Sequence, residues 1–186
     1  MVAVVVTARP SYARVQTVLE GLVRYRVPYV VYACASALLD KYGAVVETIK
    51  ADGHTVIEVP ASCEHNSLIG GVITTANLTH ALGLEFARTM PWLVVTIADR
   101  KETLATAIAA SYQHIPLMHL LAGEHSGSID DKVRAAVSAL AAYRACPMAP
   151  SFVGQSYRVT GCPSVDLALR AQKDPPIQVE ELGGTG

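Results

Sequence analysis

Charge is scarce in this sequence: Asp, Glu, Lys and Arg together make up 17% of its 186 residues. The two signs nearly cancel, Lys and Arg 15 against Asp and Glu 16, and no basic run occurs anywhere. A surface that tracks a phosphate backbone needs clustered Lys and Arg, so nucleic acid is excluded as a partner. A small anion held by a few arginines is still compatible with this balance. Cysteine is also sparse, at Cys34, Cys63, Cys146 and Cys162, with no C-x-x-C pair. That excludes a disulfide framework or a zinc ribbon and predicts buried, reduced thiols with no metal site.

Long apolar runs are missing too. The longest, Val27–Leu39, is too short to span a bilayer and contains Pro28. The first residues, Met1–Thr7, have no basic stretch and no cleavage site before Arg9 and Pro10, and so read as a first strand rather than a signal peptide. These features predict a soluble, cytoplasmic protein without a membrane partner. After that first strand comes Thr7-Ala-Arg-Pro-Ser-Tyr12, with neither G-x-G-x-x-G nor a P-loop. No dinucleotide cofactor is expected, and none of any other kind.

What the sequence does contain is apolar residues, 51% of the chain, which suits strands buried on both faces. Strand-like and helix-like segments alternate. Strands are expected at Val2–Thr7, Tyr29–Ala35, Thr55–Val59, Trp92–Ala98 and Pro116–Leu121, with short extended pieces at Tyr143–Met148 and Tyr157–Thr160. Helices are expected at Ser11–Tyr25, Ala37–Ala51, Leu68–Met90, Glu102–Tyr112, Ile129–Ala142 and Ser164–Gln172, with Ala61–Leu68 as loop. The alternation implies an α/β fold, a Rossmann-like parallel sheet with helices on both faces and Val2–Thr7 central. Residues 1–172 form one such domain in this reading. Residues 173–186, with Pro175, Pro176 and Gly183-Gly-Thr-Gly186, read as a linker-like tail.

In open α/β sheets ligands bind outside the carboxyl ends of the strands. That rule gathers Arg9 after the first strand, Asp99 and Arg100 after the fourth, and the loop Ala122–Asp131 after the fifth. Arg9, Asp99, Glu124 and Asp130 are therefore expected around one depression. Each also has a purely structural reading. Ser128 with Asp131 resembles a capping box, Asp130 and Arg134 are an i,i+4 pair, and Asp99 could cap the helix that follows it.

Five stretches, in order, resemble the hydrolysing UDP-N-acetylglucosamine 2-epimerases: Thr7-Ala-Arg-Pro-Ser-Tyr-Ala-Arg-Val15, Ala35-Ser-Ala-Leu-Leu-Asp-Lys-Tyr-Gly43, Ala98-Asp-Arg-Lys-Glu-Thr-Leu-Ala105, Gly123-Glu-His-Ser-Gly-Ser-Ile-Asp-Asp-Lys-Val-Arg134 and Thr160-Gly-Cys-Pro-Ser-Val-Asp-Leu-Ala168. The resemblance implies one half of a two-domain GT-B-like architecture with a cleft for a UDP-sugar. It implies isomerase and hydrolase chemistry: abstraction of the C2 proton, expulsion of UDP, and hydration of the glycal to N-acetylmannosamine. Such a reaction needs a carboxylate near C2, an acid for the glycosidic oxygen and cations for the diphosphate. By position in the motifs, Asp99, Asp130 and Glu124 match catalytic carboxylates, and Arg9, Arg14, Ser128 and Arg134 match substrate-binding positions. The acid and base roles of Asp99 and Asp130 stay open.

The chain also departs from the family pattern. Where the family has H-x-[EQ]-G-G-E, this chain has His119-Leu-Leu-Ala-Gly-Glu124, which puts Leu121 at a polar position. Ala135 replaces a usual His, and the stretch Cys146–Arg158 is shorter. The family's second domain would begin after Gly186. The expectation is thus an epimerase half whose cleft is completed by a second domain or a separate chain, or a homo-oligomer. The alternatives are a non-catalytic binding or assembly module and a glycosyltransferase-like protein.

Overall fold

The computed structural model describes residues 1–61, 67–124, 126–149 and 156–172. The tail expected at 173–186 and Cys63 lie outside these residues. Seven strands form one sheet: β1 (Val2–Val6), β2 (Tyr29–Cys34), β3 (Val56–Val59), β4 (Leu93–Ile97), β5 (Leu117–Leu120), β6 (Tyr143–Cys146) and β7 (Arg158–Val159). Their order across the sheet is β3-β2-β1-β4-β5-β6-β7, and every neighbouring pair is parallel. The chain runs outward from β1 to β3, then crosses back to β4 and runs out the other way. β1 and β4 therefore flank the point where strand order reverses, the usual place for a ligand crevice in such sheets.

Among the described residues six α-helices cover the sheet: α1 (Arg9–Arg24), α2 (Val45–Ala51), α3 (Leu68–Thr89), α4 (Lys101–Tyr112), α5 (Asp130–Leu140) and α6 (Pro163–Ala171). Alternation along β1 decides which face each covers. Val2, Val4 and Val6 pack against Tyr12, Val15 and Leu19 of α1 and Ile49 of α2. Ala3 and Val5 face the other way, toward Leu78, Leu82 and Phe86 of α3, the alanines of α4 and Val137 of α5. Small side chains on α4, with Ala105, Ala107, Ala109 and Ala110 all buried, let it sit closely between α3 and α5.

One expected helix is corrected. Residues 37–51 do not form a continuous helix but two 3-10 turns, Ala35–Leu38 and Asp40–Tyr42, followed by α2. Gly43 at φ 83° and Ala44 at φ 31° break the run, both in the left-handed region. Elsewhere the expected strands and helices are present, with ends shifted by a few residues; the loop expected at 61–68 lies mostly outside the described residues. Cys34 and Cys146 are buried free thiols, and burial pushes both thiols up from their ordinary range. Among the described residues no helix is long and apolar enough to cross a membrane.

Candidate functional site

The carboxyl edge of the sheet carries an unusual backbone feature. β2, β4 and β5 are each followed immediately by a non-glycine residue in the left-handed region: Ala35 at φ 53°, Ala98 at φ 66° and Leu121 at φ 58°. A Cβ disfavours this region by about 1 kcal/mol or more. Such conformations persist where the surroundings over-determine them, commonly at functional sites. Here they turn the chain sharply and present the residues that follow, Asp99 after β4 and Ala122–Glu124 after β5.

Arg134, on the second turn of α5, organises that edge. Its side chain is 8% exposed and its guanidinium forms an ion pair with Asp99. The same group donates to the Glu124 backbone carbonyl at 2.6 Å, lies 3.8 Å from the Glu124 carboxylate and donates to Asp131 at 3.3 Å. A buried cation is tolerable only when paired and hydrogen-bonded, and Arg134 meets both conditions. Among the described residues its Nε has no partner. The structure thus brings Asp99, Glu124 and Arg134 into one cluster, although they come from three segments of the chain.

Asp131 ties down the loop before α5. Its carboxylate accepts from the backbone N–H of Ser126 at 2.7 Å, that of Gly127 at 2.8 Å and the Ser126 hydroxyl at 2.9 Å. The capping box that Ser128 and Asp131 resemble in sequence is not formed: the carboxylate satisfies loop amides before the cap, and its negative charge suits the positive end of the helix. The sequence pattern pairs Arg134 with Asp130 at i,i+4, but the guanidinium turns to Asp131, Asp99 and Glu124. Ser128 is exposed; its hydroxyl accepts from the Asp130 N–H at 3.1 Å, while Ile129 holds the cap position. Asp99 pairs with Arg134 instead of capping α4.

The remaining candidates are not part of this cluster. Asp130 is exposed and lines an open groove of about 830 Å³ with Arg100, Lys101 and the apolar side chains of α3 and α5. Arg9 is exposed at the first position of α1, and its guanidinium comes within 3.6 Å of the point where a Cβ on Gly43 would stand. Arg14 is half-buried further along α1. Leu121 is 3% exposed and packs into the core beneath α1 and α2, so no polar group reaches the crevice from that position. Among the described residues no three His, Cys, Asp or Glu side chains gather to hold a metal.

A second buried polar group adjoins the cluster, and charge patterning alone does not single it out. His119, in the apolar run of β5, is fully buried. Its Nε2 lies 2.7 Å from the Ala98 carbonyl and its Nδ1 lies 2.9 Å from the Ser138 hydroxyl. A carbonyl only accepts, so Nε2 carries the proton and Nδ1 accepts from Ser138. Burial pushes this imidazole down to about 4; the bond to Ala98 opposes that, and Arg134 and Arg144 add to it. The sequence signal was a polar residue inside a buried strand, with Ser138 placed one turn after Arg134.

A doubly covered parallel sheet with polar groups collected at the carboxyl ends of β4 and β5 defines a Rossmann-like α/β domain. The sequence pattern of the UDP-N-acetylglucosamine 2-epimerase family matches residues 24–151, and the chain belongs to that family. A curated protein from Legionella pneumophila, named UDP-N,N'-diacetylbacillosamine 2-epimerase (hydrolyzing), is 35% identical over 113 residues, covering 55% of this chain and 27% of its own length. Among solved structures, S. aureus MnaA with UDP superposes with a TM-score of 0.77 at 17% identity, covering 95% of this chain and 48% of that one. The Neisseria meningitidis UDP-GlcNAc 2-epimerase bound to UDP-GlcNAc gives 0.68 at 20% identity, covering 78% of this chain and 39% of that one. These superpositions concern the fold. The chain matches under a third of the curated relative's length and at most about half of these two structures.

Proposed function

We propose that this chain supplies one wall of a cleft that takes a UDP-linked 2-acetamido sugar in the cytoplasm, within a hydrolysing 2-epimerase. Residues 1–172 form that wall, and 173–186 lead toward a second domain or a partner chain that supplies the other. In the reaction a carboxylate removes the C2 proton, the C1–O bond breaks and UDP leaves with its electron pair. Water then adds across the resulting glycal to give the manno-configured sugar, N-acetylmannosamine from a UDP-N-acetylglucosamine substrate. Asp99 and Asp130 are the pair for proton removal and return, with Glu124 beside Asp99. Arg9 and Arg14 face the diphosphate, Ser128 lines the sugar subsite, and Arg134 holds Asp99 and Glu124 in place.

The observation that carries this reading is the Arg134-centred cluster at the β4 and β5 ends, where charge would develop on a bound nucleotide sugar. The names of the curated relatives support the substrate class. A one-walled crevice neither excludes water nor grips a diphosphate from both sides, so the chain alone should turn over little substrate. The second reading is a non-catalytic binding module, and the buried Leu121 in a position polar in the family favours it.

The test is UDP release from UDP-N-acetylglucosamine by the purified chain, with Asp99→Asn as control and UDP binding measured by calorimetry. Weak UDP binding with negligible release is expected. Robust release abolished in Asp99→Asn would show that one wall suffices, and no UDP binding at all would sink the substrate class.

A further inference from the structure

We infer that His119 is a positioning residue for Asp99: with Ser138 and Arg134, one turn apart on α5, it clamps the Ala98–Asp99 turn in its left-handed geometry. Ser138 and Arg134 are an i,i+4 pair on the buried face of α5, and both are almost fully enclosed. Each acts on one of two adjacent residues at the end of β4. Arg134 takes the Asp99 carboxylate directly. Ser138 acts through His119, whose Nε2–H donates to the Ala98 carbonyl.

The Ala98 peptide is thereby fixed from both sides. Its N–H donates to the Leu120 carbonyl at 3.0 Å, continuing the pairing with β5. Its carbonyl is held by His119, which belongs to β5 as well and pairs in register with Thr96 of β4. A left-handed alanine is strained, and relaxing it would rotate this carbonyl and swing the next side chain away from Arg134. A neutral imidazole suits the task, because one nitrogen must donate and the other accept. Burial keeps the ring in that neutral form at physiological pH. Ser138 is fixed in turn, since its carbonyl accepts from the buried Arg144 at 2.7 Å.

Only the catalytic meaning of Asp99 rests on the proposed function; the clamp can be tested apart from it. The experiment follows the Asp99 backbone amide and carboxyl signals by NMR in the wild-type chain and in His119→Phe, His119→Gln and Ser138→Ala, with thermal unfolding of each. Phe fills the ring volume without hydrogen bonds, whereas Gln keeps a donor that can reach Ala98. The Asp99 signals should move in Phe and return toward wild type in Gln, a rescue that mere packing would not give. Should the Phe variant fail to fold, Ser138→Ala leaves the ring in place and should move the same signals in the same direction.

Asp99 signals unmoved in Phe or in Ser138→Ala, or moved as far by Gln as by Phe, would overturn the clamp. A parallel titration of the wild type with UDP-N-acetylglucosamine separates the two ideas. If the ligand leaves the crevice signals untouched while His119→Phe moves those of Asp99, the substrate reading fails and the clamp stands.

Discussion

Arg134 of α5 and Asp99 after β4 are 35 residues apart in sequence, yet they form an ion pair whose side chains are only 8% and 18% exposed. Removing one partner of such a pair strands the other charge in a poorly hydrated place. Arg134→Met keeps the stem's packing and removes the cation, leaving Asp99 and Asp131 facing each other across the gap. The expected loss is on the order of 3 kcal/mol, read from urea unfolding. Asp99→Asn should cost clearly less, because Arg134 keeps Asp131, Glu124 and the Glu124 carbonyl. Equal losses in the two variants would show that Arg134 does not organise the cluster.

His119 makes stability depend on pH. Its imidazole is held down at about 4 in the folded chain, mainly by burial, against about 6.5 when unfolded. Between those values the unfolded chain binds a proton that the folded chain does not. The contribution is therefore fully present above about pH 6.5 and is lost progressively as pH falls toward 4. Its size is on the order of 3 kcal/mol. Urea midpoints measured from pH 8 to pH 4 should fall in the wild-type chain and fall less in His119→Gln. A His119→Gln profile parallel to wild type would assign the acid sensitivity to other groups.

The sheet was readable because its physics is local. Uninterrupted apolar runs such as Val2–Val6 are expected where both faces are buried, and the sheet buries them so. Asp99 and Glu124 were readable as neighbours because strand ends gather at one edge of any parallel sheet, whereas Arg9 and Asp130, expected around the same depression, are not in their cluster. The pairing with Arg134 was not readable: the i,i+4 spacing of Asp130 and Arg134 suggested a local pair, and the longer-range partner Asp99 won the guanidinium. Nor was the His119–Ala98 contact, which depends on a left-handed turn at an alanine that has no sequence mark. The continuous helix expected at 37–51 failed at Gly43-Ala44, where apolar periodicity continued through a backbone break.

That break gives a further prediction. Gly43 sits at φ 83°, and a Cβ there would make ordinary contact with Arg9 at 3.6 Å, so space does not forbid a side chain. Conformation does. Gly43→Ala should cost about 1 kcal/mol through backbone strain alone. A smaller group of signals, from the turns 35–42 and from Arg9, should shift in its NMR spectrum. A fully neutral substitution would mean that the 35–44 segment relaxes into another path.

Association is the last expectation. Sheet burial alone does not absorb the chain's apolar excess. On the first turns of α3, Leu68 is 96% exposed, Ile69 64% and Val72 63%, and across the groove Ile129 is 67% exposed. Leu68 and Val72 stand one turn apart on one helix face, so these side chains form a patch rather than scattered singles. Covering such a patch removes apolar area from water and favours association. We expect sedimentation at low micromolar concentration to show a species heavier than the 19.7 kDa monomer. Val72→Asp should shift it toward the monomer without lowering thermal stability, because Val72 contributes little to the core. A clean monomer for the wild-type chain would exclude self-association and leave this face to the proposed second domain or partner chain. An assembly unchanged in Val72→Asp would place the contact elsewhere on the molecule.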